Sequence, residues 1–543
     1  MKTKEIKHQE LGEGAVVLLI ATVLVKLIGA LFKIPLSSNA VLGDLGFGYF
    51  SSAYDLFSPV YTLAVSGFPV AISRIVTELT ARDRLEEADG IFRVSKRLFL
   101  YLGIIASLSL LVLIFPFVSL SDKSGQSIYS MLAVVPSFAI CFISSAYRGY
   151  FEGKHNMSIP AVSNVIEALS KLLLGLSFAI ITIKITQNTA FAAAAAMLGI
   201  TVGTLLSLLY LSVSYKRFDV YRGTNLYNDK KLVKKVLFIS LPIVLASMSG
   251  SLVALIDAIT VRWQLSLFDL TNIYSIAINE YQKTMAEEIT RNTLPTFLYG
   301  IRSKAFTLYN LVPTLTVSIG ISAIPTLTEA NTKGKMETVI NGINSVLKYS
   351  AFISFPVALG FLAIGREIMS FLYSNGVSSQ IGGKMLLIYG VAVLFSGISI
   401  PLTCVLQALG KQKSALYNVA VGLLLKLVLN LVLTPFRNIN IFGAVWSTLV
   451  CNIVILLLHF VVLIRATGKE LNFVGMYFKI FISSLFCFCV AKVVACFGDS
   501  KLITLVAILS AGAIYLICLG LLKVFSKSEL SDFLSSKAKK HKN

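Results

Sequence analysis

Apolar residues fall in runs of roughly 20, and the polar and charged residues collect in short clusters between them. A run of that length suits a hydrocarbon core about 30 Å thick, crossed by a helix rising about 1.5 Å per residue. The alternating segments of roughly ten residues that would build a membrane β-barrel are absent. The runs predict fourteen spans, near 14–36, 50–78, 97–120, 127–148, 160–184, 190–214, 236–261, 296–325, 345–365, 383–406, 413–435, 440–464, 473–497 and 501–524. The second and eighth are the more polar. The second carries Gly67-Phe-Pro69 in its middle and Arg74 before its end, a breaker and a charge inside a segment built for lipid.

Composition agrees with the pattern. The 543 residues are 56% hydrophobic and 14% charged, against about 25% charged in a soluble protein. The expected fold class is therefore an all-α polytopic membrane protein. The first run follows Lys2, Lys4 and Lys7 but continues through Lys26 and Lys33 without a small-residue cleavage site, so it is expected to stay attached.

The net charge of +21 invites a nucleic-acid reading, but its placement argues otherwise. Most of the 48 Lys and Arg residues sit in alternate loops: the N-terminus, 74–97, 148–154, 216–235, 333–348, 411–413, 465–479 and the tail from Lys523. That asymmetry is the positive-inside signature, and it predicts both termini in the cytoplasm. The tail Lys537-Ala-Lys-Lys-His-Lys542 reads equally as charge against anionic phospholipid or as a solvated end. The seven cysteines and four histidines have no metal or disulfide spacing, and there is no Walker loop, nucleophile elbow or HExxH. No cofactor, metal or covalent catalysis is expected, and no nucleic-acid partner; the oligomeric state stays open.

The chain echoes itself. Thr62-Leu-Ala-Val-Ser66 reads against Thr314-Leu-Thr-Val-Ser318, and Ala71-Ile72 against Ala323-Ile324, at one offset. At a similar offset Phe151-Glu-Gly-Lys154 reads against Ala408-Leu-Gly-Lys411, each followed by an apolar run holding a lysine, Lys171 and Lys426. Each echo matches a span to the one six spans later, which keeps its orientation. The expectation is two parallel six-helix lobes, 13–215 and 236–465, with the basic linker 216–235 between them. A short N-terminus (1–12), two extra helices (466–525) and a basic tail (526–543) complete the division.

An ionisable group at mid-membrane costs about 2.5–3.5 kcal/mol on insertion scales, so each needs a partner or a function. The candidates are Lys26, Lys33, Asp55, Arg74, Glu167, Lys171, Asp257, Arg262, Arg302, Lys304 and Lys426. Glu167 and Lys171 are spaced to neutralise each other on one helix face. Arg74 and Arg262 lie near span ends and can snorkel. Lys426, alone in its span, can reach a lobe interface or headgroups. Lys26 and Lys33 share a face with no acid beside them on their helix. If the spans surround a central cavity, Lys26, Lys33, Arg74 and Arg302 outweigh Asp55 and Asp257, and such a lining favours phosphate or diphosphate oxygens over a cation.

These residues carry a resemblance. Lys26-x-x-Gly29-x-x-x-Lys33, Gly67-x-Pro69-Val-Ala-Ile-Ser-Arg74 with Glu78, Leu298-Tyr-Gly-Ile, and Thr307 to Ser318 with Ile324-Pro325 resemble the multidrug/oligosaccharidyl-lipid/polysaccharide (MOP) exporter superfamily. The branch is that of MurJ-type lipid II flippases and the stage V sporulation protein B group. The resemblance implies a flippase that moves an undecaprenyl-diphosphate-linked sugar across the bacterial plasma membrane by alternating access. Its diphosphate site would be Lys26, Lys33, Arg74 and Arg302, with Asp55, Asp257, Glu167 and Lys171 as further cavity or coupling charges. It also implies a lipid-tail groove at spans 13 and 14. Lysines stand where relatives often carry arginines, and a lysine meets phosphate as a point charge, so lipid II is not fixed as cargo.

Gly67, Pro69, Pro313 and Pro325 would loosen the second helix of each lobe, either as hinges or as static kinks. Alternatives remain another lipid-linked polysaccharide unit, a multidrug/cation antiporter, and a non-transporting scaffold of a sporulation or envelope complex.

Overall fold

The computed structural model describes residues 11–80, 82–217, 249–267, 289–290, 292–373, 376–436, 438–468 and 474–524. Every regular element among them is helical. Twelve helical stretches among the described residues are long and apolar enough to cross a membrane. The two expected spans missing from that set, 14–36 and 236–261, both run over residues or side chains outside the described ones. The chain is thus a multi-pass helical membrane protein, and the count of fourteen stays an expectation.

In chain order the helices are α1 (Leu11–Leu36), α2 (Gly43–Thr62), α3 (Phe68–Thr80), α4 (Leu85–Ser121), α5 (Ser127–Gly153), α6 (Ser158–Ser170), α7 (Leu176–Thr186), α8 (Thr189–Arg217) and α9 (Ser249–Leu267). Then follow α10 (Leu294–Tyr309), α11 (Leu311–Thr332), α12 (Met336–Tyr373), α13 (Val377–Ala408), α14 (Gln412–Leu433), α15 (Phe442–Thr467), α16 (Val474–Ala495) and α17 (Lys501–Leu521). Several run past the expected spans, because their basic ends continue the helix beyond the apolar window. Arg148, expected in a loop, lies inside α5.

The structure accounts for Gly67-Phe-Pro69. Between α2 and α3 the chain widens into one π-helical turn, Leu63–Gly67, and the Phe68 N–H donates five residues back to the Leu63 carbonyl. Pro69 has no N–H to offer, and an inserted residue is the low-cost way to carry the helix past it. The Ser145 hydroxyl of α5 donates to the Ala64 carbonyl inside that turn. A neighbouring helix thus serves the disturbed backbone, as a membrane interior requires. A second π turn, Lys171–Gly175, joins α6 to α7.

The eighth span is broken differently. α10 ends at Tyr309 and α11 begins at Leu311, so Pro313 falls in a first helical turn, where its missing N–H costs nothing. Pro325 lies within α11; its side chain is outside the described residues.

Packing divides the chain into two units, 1–307 with 423–447, and 308–422 with 448–543. This grouping and the internal echo rest on different criteria, and the two-lobe reading stays an expectation. In the first unit α3 buries Ile72, Ile75, Val76 and Leu79 among Phe92, Phe99, Phe142 and Tyr150, and leaves Arg74 exposed. In the second, α11, α12, α13 and α15 share a core of Leu327, Val339, Ile343, Leu402, Val405 and Leu463. The α16–α17 pair packs on α12 through Ala351, Cys487, Ala507 and Tyr515, and the Tyr515 hydroxyl donates to the Phe352 carbonyl at 2.8 Å. α12 bends at Ile364, where Lys492 of α16 reaches the Ala363 carbonyl at 3.3 Å.

Candidate functional site

The first unit holds a seam of buried charge. α2 and α10 cross so closely that a Cβ on Gly300 would stand 1.8 Å from the Asp44 carbonyl oxygen, and one on Gly48 2.2 Å from that of Thr296. Only glycine permits this approach of backbones. It lets short carboxylates on α2 meet α10: Lys304 Nζ stands 2.6 Å from Asp44, and the Tyr299 hydroxyl donates to Asp55 at 2.7 Å. Asp44 and Lys304 are fully buried, so neither charge could persist there alone.

Asp257 of α9 is the centre of the seam. One oxygen accepts from Arg302 of α10; the other meets Lys426 Nζ at 2.7 Å and accepts from the Asn430 amide at 2.8 Å. Asn430 also donates to Thr260 at 3.0 Å and accepts from the Ser447 hydroxyl. One carboxylate thus faces two cations. Further along α9, Arg262 Nη2 lies 3.5 Å from Asp122 and donates to Ser127 and Thr296 at 3.0 and 3.2 Å. Asp122, in the α4–α5 turn, also accepts from the backbone and hydroxyls of Ser124 and Ser127. Burial pushes its carboxyl up, but Arg262 and these bonds outweigh that and hold it below the usual carboxylate range.

Of the sequence-predicted residues, the structure brings Lys33, Asp55, Arg302 and Asp257 toward one another. Lys33, in the last turn of α1, lies over the Tyr54 ring at 4.0 Å and within electrostatic reach of Asp55. The Lys26 side chain is outside the described residues. Arg74 is not part of the cluster: it is exposed, 19 residues past Asp55 in the α2–α3 helix, roughly 28 Å along the axis. Glu167 and Lys171 meet at 2.6 Å, as their spacing predicts. The sequence reading missed their third member. Arg148, counted among loop charges, is buried and reaches Glu167 at 2.8 Å, with Ser163 and Ser207 around it. No spacing signals this contact, because the partners lie on different helices. Asp44 and Asp122 were also missed; Asp44 sits in the first turn of α2, where the dipole favours an acid, and Asp122 follows the last residue of α4 and accepts from the first residue of α5.

Lys171 closes the arrangement by standing 4.2 Å over the Tyr61 ring. α2 carries a ladder of rings, Phe47, Phe50, Tyr54, Phe57 and Tyr61, each 5.2 to 6.3 Å from the next. Lys33 and Lys171 address it at two heights. Among the described residues no His, Cys, Asp or Glu group is arranged to hold a metal.

A many-helix membrane fold with one seam of inward-facing, mutually paired charges defines a polytopic transporter. The comparisons give the family. The polysaccharide biosynthesis protein model matches residues 11–331, more than half the chain, and a MatE model matches 301–432. The chain belongs to the polysaccharide biosynthesis protein family, within the MOP exporter superfamily. It is 27% identical to stage V sporulation protein B of Bacillus subtilis (strain 168), over 95% of this chain and 96% of that protein. It is 25% identical to the lipid II flippase MurJ of the same organism, over 84% and 83%. Its fold matches a solved structure of lipid II flippase MurJ in an inward closed conformation, with TM-score 0.68, 15% identity, and 94% and 99% of the two chains covered.

Proposed function

We propose that this protein is a flippase for an undecaprenyl-diphosphate-linked sugar, with lipid II the first cargo to test, working by alternating access across the plasma membrane with both termini cytoplasmic. The observation that carries the reading is the charge balance of the seam. Asp257 has two cationic neighbours, Asp44 and Asp122 each have one, and Asp55 takes the Tyr299 hydroxyl with Lys33 in electrostatic reach, so Arg262, Arg302, Lys304, Lys426 and Lys33 outnumber the carboxylates by one. A drug or metal cation would find these carboxylates already occupied, whereas an anion would find a surplus of cations. The likeness to a lipid II flippase over most of both chains supports the same choice. Anionic phospholipid at the basic loops fits the same orientation.

In this reading Arg74 meets the diphosphate near the cytoplasmic side, and Lys26, Lys33 and Arg302 receive it deeper in. The test is lipid II translocation in cells depleted of their own flippase, with wild type, Lys26→Ala, Lys33→Ala and Arg74→Ala at matched protein level. Rescue by wild type and failure of the variants is expected. If wild type does not rescue, lipid II is the wrong cargo and another polyprenyl-linked glycan takes its place. Rescue by all three variants would remove the cationic site and leave translocation to other residues.

A further inference from the structure

Arg148, Arg262 and Arg302 are all buried, yet they are not equally satisfied. Arg148 donates through Nε and Nη2 to Ser163, Glu167 and Ser207. Arg262 hydrogen-bonds through Nη2 alone, to two hydroxyls, and its Nε and Nη1 have no hydrogen-bond partner among the described residues. Arg302 likewise uses only Nη2, on Asp257, and leaves Nε and Nη1 without one. Four guanidinium nitrogens are therefore buried without an acceptor among the described residues, and a charged donor left so is costly. Both guanidiniums approach the same ring: their central carbons lie 6.0 and 5.6 Å from the centre of Tyr299. Asp122, the carboxylate beside Arg262, already accepts four hydrogen bonds from Ser124 and Ser127, so it holds the arginine loosely at 3.5 Å.

We propose that Arg262 and Arg302, both beside Tyr299, form an anion site for a diphosphate, built on α9 and α10 and covered here by α2. Forked N–H donors match pairs of phosphate oxygens, and two forks near one ring suit an anion with two phosphoryl groups. The cover is the glycine crossing: Thr296, which accepts from Arg262, is the residue whose carbonyl Gly48 touches. Separation of α2 from α10 at that crossing uncovers both arginines together. The site stands on these nitrogens; that its diphosphate belongs to a lipid-linked cargo rests on the flippase reading.

The test uses the full-length protein in lipid nanodiscs with inorganic pyrophosphate as probe, its affinity measured by calorimetry. Wild type is expected to bind, and Arg262→Gln to bind about tenfold more weakly or worse, the loss expected for a charge-assisted hydrogen bond. Arg262→Lys, which keeps the charge but not the fork, should fall between them. Asp122→Asn, which releases Arg262, should bind several-fold more tightly, a gain that misfolding would not produce. Lys413→Gln, an exposed charge removed elsewhere, should match wild type. Absence of binding to wild type, or equal binding by the Arg262→Gln and Asp122→Asn variants and wild type, overturns the proposal. Arg262-dependent binding in a protein that moves no lipid-linked glycan keeps the site and removes the flippase reading. Translocation with binding indifferent to Arg262 does the reverse.

Discussion

Asp257 offers a test in which two neighbouring substitutions should differ sharply. It is fully buried, as are Arg302 and Lys426, and it is the carboxylate both cations touch. Asp257→Asn keeps the shape but leaves two buried cations, and removing one partner of a buried ion pair costs about 3–5 kcal/mol. Lys426→Met instead leaves the Asp257–Arg302 pair intact, with Asn430 still donating to the second carboxylate oxygen. That change should stay within about 1 kcal/mol of wild type, the size of an ordinary hydrogen-bond exchange. The double variant, holding a single surplus cation, should recover part of the Asp257→Asn loss. Thermal unfolding in detergent can be followed by intrinsic fluorescence, because the chain's 2 tryptophans, Trp263 on α9 and Trp446 on α15, lie on helices that contribute to the cluster. Equal damage from Lys426→Met and Asp257→Asn would refute the view that the cluster carries more positive charge than it needs.

Further outcomes can be measured. Gly300→Ala puts a methyl group where the Asp44 carbonyl stands, so it should cost about 1–3 kcal/mol by overpacking and raise the labelling rate of a cysteine introduced at Thr296; unchanged labelling would show that the crossing does not seal. Ser145→Ala removes the donor to the Ala64 carbonyl and should cost about 1–2 kcal/mol in a midpoint of thermal unfolding. Asp122 is held below the ordinary carboxylate value, so its contribution is complete above about pH 4 and lost as pH falls through its folded value. Stability should therefore stay level down to about pH 4 and decline below it, with the Asp122→Asn variant lacking that part of the decline.

Sequence patterning placed the twelve spans that fall among the described residues, because lipid imposes one length and one polarity on every crossing helix. It also flagged Glu167 with Lys171, whose spacing brings them together within one helix. What it could not supply was the partner of a charge on another helix. Arg302 read as a cavity cation, yet Asp257 sits against it; Arg148 read as a loop charge, yet Glu167 claims it. Both contacts depend on how helices cross, and the crossings depend on glycines such as Gly48 and Gly300 that carry no charge signal. The weak point at Gly67-Phe-Pro69 was legible, but its form, a widened turn served by Ser145, was not, since the donor lies on α5.

That widened turn also sets a phase. Each helical residue advances the chain by about 100°, so the extra residue in Leu63–Gly67 decides which face of α3 follows which face of α2. As built, the aromatic ladder of α2 is continued by a helix whose Ile72, Ile75, Val76 and Leu79 enter the core while Arg74 points out of it. Deleting one residue between Leu63 and Gly67 would straighten the helix and turn everything beyond it by about a quarter of a revolution. The charge would swing toward the hydrophobic packing and an apolar edge would take its place. Arg74 is thus positioned by the length of the chain before it as much as by its own identity.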